Sequence, residues 1–115
     1  MEIKIVKDPL SLEELRELAK AGFGNLVKAV VDIEKSIMAV GGELHADEET
    51  LLIEKEGSSR EYTWGINLYP DREGNELIEF DSVINIKPAF GNRTRGVESE
   101  ETQNKIREVI KNLVR

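Results

Sequence analysis

Hydrophobic and polar positions alternate at the start of this chain. Across residues 1–7, Ile3 and Ile5 fall on one side and Glu2 and Lys4 on the other, the period of a half-buried strand. Pro9 cannot continue a central strand, so the element stops there. The period then lengthens in SLEELRELAKAGF. Ser11 and Glu14 form a capping box, Leu10 and Leu15 a hydrophobic staple, and Leu15, Leu18 and Ala19 one apolar stripe that Gly22 brings to an end. A helix is predicted. The run LVKAVVDIEKSIMAV, residues 26–40, is apolar enough for one buried helix, but its β-branched Val27, Val30, Val31 and Ile33 favour strands. Glu34-Lys35-Ser36 suit a short loop, so the reading adopted is a hairpin ended by Gly41-Gly42.

Residues 47–56 admit two readings. Asp47 with Glu48 and Glu49 resembles an N-cap and an acidic first turn closed by Gly57, whereas Leu51-Leu52-Ile53 also suits a strand. Trp64, Ile66 and Leu68 alternate with Gly65, Asn67 and Tyr69, and PDREGN makes a turn. The return arm would place Ile78, Phe80, Ile84 and Ile86 on one side and Glu79, Asp81, Val83, Asn85 and Lys87 on the other, giving a long antiparallel hairpin. Ser99 caps a last helix with Ile106, Val109, Ile110 and Leu113 on one stripe. The predicted class is α+β, a mostly antiparallel sheet of about five strands with two or three helices packed on one face.

A length of 115 residues suits one domain over residues 1–115. The net charge of −7 disfavours a general nucleic-acid binder, which needs clustered Lys and Arg to neutralise phosphates. With no cysteine, disulfides, thiolate nucleophiles and cysteine-rich zinc sites are excluded. The N-terminus has no apolar signal core, and no run approaches the roughly 18–20 apolar residues of a membrane span, so a cytoplasmic protein without membrane attachment is expected. Charged residues make up 34% of the chain and Gln103 is its only glutamine, a bias seen in proteins from hot environments.

Three constellations could carry chemistry. In GGELHADEET the only histidine, His45, lies between Glu43 and Asp47 at alternate positions. On extended backbone these three would share a side and could hold a divalent metal, with His45 as a catalytic base. Asp47 serving as a helix N-cap competes with that geometry, and Ser36, Ser58, Ser59, Ser82 and Ser99 lack the context of a nucleophile. In GNRTRG, residues 91–96, Asn92, Arg93 and Arg95 sit in a glycine-flanked loop suited to an anion, the competing reading being that the arginines pair with carboxylates of the same chain. Third, Asn67, Glu79, Asp81 and Asn85 form a polar row on the hairpin, a buried network if something covers that face and a solvated surface if nothing does. Trp64 beside Gly65 reads as core, with a ligand platform as the alternative.

The segments GGELHAD, TWGINLYP, INIKP and GNRTRGVE resemble those of a family of short bacterial and archaeal proteins classed as having an uncharacterised domain, and the likeness runs from Glu2 to the last helix. The resemblance implies a discrete domain and no particular activity. Two function classes follow from the residues. One is a self-associating binding or interaction domain with an anionic or small-molecule ligand; the other is a small metal-assisted or acid/base enzyme using Glu43, His45 and Asp47. Residues 43–56 carry six acids against one lysine while residues 87–95 carry three bases and no acid, so the two segments are expected to attract, within the fold or across a homodimer.

Overall fold

The computed structural model describes residues 2–115. The elements are β1 (Lys4–Val6), α1 (Leu12–Ala21), β2 (Val27–Asp32), β3 (Ile37–Val40), α2 (His45–Glu56), β4 (Thr63–Leu68), β5 (Ile78–Glu79) and α3 (Glu100–Leu113), with single 3-10 turns at Gly74–Leu77, Val83–Asn85 and Pro88–Phe90. All strand pairs are antiparallel, in the order β1-β3-β2-β4-β5. The α+β class and the five-stranded antiparallel sheet are those the periodicities predicted.

Local signals set several elements directly. Ser11 Oγ accepts from the Glu14 N–H at 3.0 Å while Glu14 accepts from the Ser11 N–H at 3.3 Å, so the capping box is complete. Residues 26–40 form the hairpin and not a helix. Asp32 secures its turn, accepting from the N–H groups of Glu34 and Lys35 at 2.9 and 3.0 Å and from the Ser58 hydroxyl at 2.6 Å. Residues 47–56 resolve as helix, which begins two residues early at His45 and ends on Gly57 in the left-handed region.

The helices divide between the two faces instead of sharing one. Val27, Ala29, Val31, Met38, Val40, Trp64, Ile66 and Leu68 meet Leu15 and Ala19 of α1 and Ile106, Val109, Ile110 and Leu113 of α3 in the larger core. Val30, Ile37 and Ala39 point the other way and meet Leu52 of α2 and Ile84. The cause is in the central strands: β3 is apolar on both sides and β2 adds Val30 to the second face, and a sheet of that kind must be covered twice.

The long return arm is also corrected. Only Ile78 and Glu79 pair with β4, after which the chain leaves the ladder and crosses the α2 face as a 3-10 turn. Ile84 and Asn85 are consecutive and both buried, while Val83 and Ile86 are exposed, so the strand period fails there. Gly65 permits the crossing: a Cβ at this position would lie 2.5 Å from Ser82 Cβ and 3.1 Å from Ile84 Cγ1. Among the described residues no helix is long and apolar enough to cross a membrane.

Candidate functional site

The inner side of α2 carries His45, Glu48, Glu49 and Leu52, the i, i+3, i+4, i+7 spacing of a buried stripe filled mostly with ionisable residues. His45 opens the helix and its Nε2–H donates to the Ile66 carbonyl at 2.8 Å. Burial first, and the charge of Lys28 next, hold this imidazole below its ordinary value against the pull of that bond. Glu48 is fully buried; one oxygen accepts from the Gly42 N–H at 3.0 Å and the other has no partner. Desolvation pushes its carboxyl from 4.5 up to about 9, so it is a neutral acid at physiological pH. Glu49 is also buried, but it accepts from the Thr63 hydroxyl at 2.7 Å and from Arg60 at 3.1 Å.

The polar row of the sheet is therefore covered at β4. Lys28 lies opposite Asn67 and Asn67 opposite Glu79. Asn67 donates to Glu79 at 2.9 Å, as does the Tyr69 hydroxyl at 3.0 Å, and Asn67 Oδ1 is a second buried acceptor without a partner. Asn85, fully buried, uses its side-chain amide on the backbone of Gly65 and on the Arg95 carbonyl. The row is split between the two readings: Asn67 and Asn85 are buried, whereas Glu79 is exposed and Asp81 is half-exposed against Arg95.

The proposed metal trio is not assembled. His45 is already helical, so residues two apart diverge by about 200° around the axis, and Glu43 and Asp47 point to solvent while His45 points inward. Among the described residues no group of three or more His, Cys, Asp or Glu side chains converges as a metal site. Asp47 is not the N-cap either: Leu44 holds that position, with no side-chain hydrogen bond, and Asp47 lies in the first turn.

The loop nest exists, but the chain fills it itself. Glu98 accepts from the N–H groups of Arg93 and Thr94, and Arg95 pairs with Asp81 at 2.7 Å. Asn92 is buried and organises the loop, donating to the carbonyls of Asn85, Thr94 and Gly96 and accepting from the Glu98 N–H. Arg93 alone of the three predicted ligands leaves its side chain exposed with no bonded partner among the described residues.

Lys87, read from the sequence as an outward strand residue, is the residue that periodicity missed. It is 3% exposed, donates to the carbonyls of Arg60 and Thr63, and stands 3.8 Å over the Trp64 ring. Burial lowers its ammonium from 10.5 to about 8, against the attraction of Glu49. Between segments 43–56 and 87–95, Glu49 attracts the buried Lys87 ammonium. The polar context of Lys87 in INIKP resembles a strand face, and nothing local distinguishes it.

This geometry defines an α+β fold with two apolar cores in which a few buried ionisable and amide side chains brace the backbone, while Val83, Ile86 and Phe90 of the 83–90 segment stand outside. The chain belongs to the family described as a protein of unknown function (DUF5674), whose model matches residues 4–113. Searches of curated proteins and of solved structures found no match.

Proposed function

We propose that this protein is a non-enzymatic binding domain that associates with a second copy of itself through the ridge formed by residues 83–90. The observation that carries this reading is the inverted pattern of that segment. Asn85 and Lys87, with Asn92 just beyond the segment, are buried and bonded to backbone groups, whereas Val83, Ile86 and Phe90 are 63%, 41% and 47% exposed. Polar anchors inside and apolar side chains outside produce a ridge that is held in shape before any partner arrives, which lowers the ordering cost of association.

Charge supports the choice of partner. Two copies each carrying −7 repel over most of their surfaces, but from Ser82 to Asn92 the only charged side chain is Lys87, which is buried. A two-fold contact between identical uncharged ridges avoids the repulsion. The groups capable of acid/base work, His45, Glu48 and Lys87, are each engaged with a different backbone group, which supports bracing over catalysis.

Light scattering on the full chain tests the reading. A dimer of 13.0 kDa subunits is expected, converted to monomer by Val83→Ser with Ile86→Ser while the thermal transition is retained. A wild-type monomer at every concentration up to the millimolar range would overturn it.

A further inference from the structure

A cleft of about 330 Å³ lies where the 3-10 turn at Gly74–Leu77 and β5 meet the second half of α3. Its floor is aliphatic, with Leu77 and Ile78 on one side and Ile110 and Val114 on the other. Ile110 is sealed in the core, but Leu77, Ile78 and Val114 are only partly covered and present alkyl surface at the opening. No aromatic ring lines the cleft, so its walls suit a flexible chain instead of a stacked ring. The volume falls at the small end of ligand sites, which run from roughly 300 to 1,000 Å³.

The charged residues at this opening are of one sign. Arg107 and Lys111 line it and no carboxylate does, in a chain that has 23 acids against 16 bases. They stand at i and i+4 on α3, where Cβ atoms are roughly 5–6 Å apart and like charges disfavour the helix. Neither makes an ion pair among the described residues, whereas Lys105, half a turn earlier, is paired with Glu101 at 3.4 Å. The Arg107 head is nevertheless held in place. It donates to Asn104 Oδ1 at 3.0 Å and to Gln103 Oε1 at 3.3 Å and stands 5.3 Å from the Phe80 ring. Both acceptors are neutral amides, so the guanidinium charge is not neutralised and most of its N–H groups keep no protein acceptor. Lys111 is exposed in the last turn, where its charge also offsets the negative end of the helix.

We infer that this cleft binds a free short-chain aliphatic carboxylate, its alkyl chain on Leu77, Ile78 and Val114 and its anion between Arg107 and Lys111. A planar carboxylate matches the guanidinium fork, and an anion bridging the two cations removes their mutual repulsion. The alkyl chain covers the aliphatic floor, which a bare anion leaves wet. The cleft shares no lining residue with the self-association ridge, and α3 packs on the opposite face of the sheet from Ile84, so the two readings are independent.

Hexanoate, hexanol and acetate are titrated into the full chain and followed by nuclear magnetic resonance of the backbone amides. Hexanoate is expected to shift the signals of Gly74, Ile78, Lys111 and Val114 saturably in the millimolar range. Hexanol, which lacks the charge, and acetate, which lacks the chain, should each bind about tenfold more weakly, the factor that about 1.4 kcal/mol of lost interaction produces. Lys111→Gln, at an exposed side chain outside both cores, should reduce hexanoate affinity by a similar factor and leave hexanol unchanged. Absence of a saturable shift at these residues, equal affinity for hexanoate and hexanol, equal affinity for hexanoate and acetate, or an unaltered Lys111→Gln titration would each overturn the assignment. Failure here with an intact dimer leaves the ridge reading standing, and a monomeric protein that binds hexanoate separates the two in the other direction.

Discussion

The side-chain amide of Asn85 binds the backbone of Gly65 twice, Oδ1 accepting from its N–H at 2.8 Å and Nδ2 donating to its carbonyl at 2.9 Å. An amide side chain thus replaces the missing strand partner where β5 ends, and it reaches Gly65 because that residue has no Cβ. Gly65→Ala is expected to destabilise the fold by about 1–3 kcal/mol in urea unfolding, through overpacking against Ser82. Ser82→Gly in the same chain should recover part of that loss. An additive double mutant would remove the steric explanation.

Asn85→Leu keeps comparable volume but leaves the Gly65 N–H, the Gly65 carbonyl and the Arg95 carbonyl without this partner. A loss of roughly 2–4 kcal/mol is expected from the orphaned buried groups, with an effect under 1 kcal/mol counting against the surrogate-strand role.

Glu48 makes stability depend on pH in a direction opposite to ordinary acid denaturation. Its folded value of about 9 exceeds the ordinary 4.5, so across that window the folded protein holds a proton that the unfolded chain has lost. Its contribution is full below 4.5 and disappears as the pH rises toward 9, with a slope of about 1.4 kcal/mol per pH unit in between. Glu48→Gln should flatten this part of the profile and be more stable than wild type at pH 8. Parallel profiles for the two proteins would show Glu48 to be ionised in the fold.

His45 titrates in the reverse sense. Because its folded value lies below the ordinary 6.5, the unfolded chain takes up the proton first as the pH falls through 6.5, and stability falls with it. As the only histidine its ring protons are resolved by nuclear magnetic resonance, and a midpoint below 6.5 is expected. A midpoint above 6.5 would mean that burial and Lys28 do not govern the ring.

Lys87→Met separates bracing from charge burial. If the donors to Arg60 and Thr63 hold the turn, the variant loses roughly 2–4 kcal/mol at neutral pH and the Trp64 emission shifts as the cation leaves its ring. It should also lose the gain in stability that the native Lys87 gives between pH 8 and 10.5, where the unfolded chain alone stays protonated. A more stable variant would mean that desolvation of the ammonium outweighs its bonds.

Much of the architecture was legible because its causes are local. The Ser11–Glu14 capping box, the Ser99 cap and the β-branched arms around the Asp32 turn act within a few residues of themselves. The candidate chemistry was not legible in the same way. Glu43, His45 and Asp47 share a face only if the backbone is extended, and a helix beginning at His45 separates them. Asn92, singled out as a ligand, is buried and bonded to backbone groups, while Arg93 and Arg95 after it stay at the surface, the second held by Asp81.

By itself, then, the sequence determined the α+β class, the antiparallel pairing and most element types, though it left residues 47–56 open between helix and strand and carried the return arm on to Lys87, since periodicity, caps and turns are properties of neighbouring residues. Only the tertiary structure decided which helix covers which face, where β5 stops, and that Glu48, Lys87 and Asn85 are interior while Val83, Ile86 and Phe90 are not. Those outcomes depend on groups far apart in sequence, such as Ser82 against Gly65 and Lys87 against Arg60, and no local pattern records them.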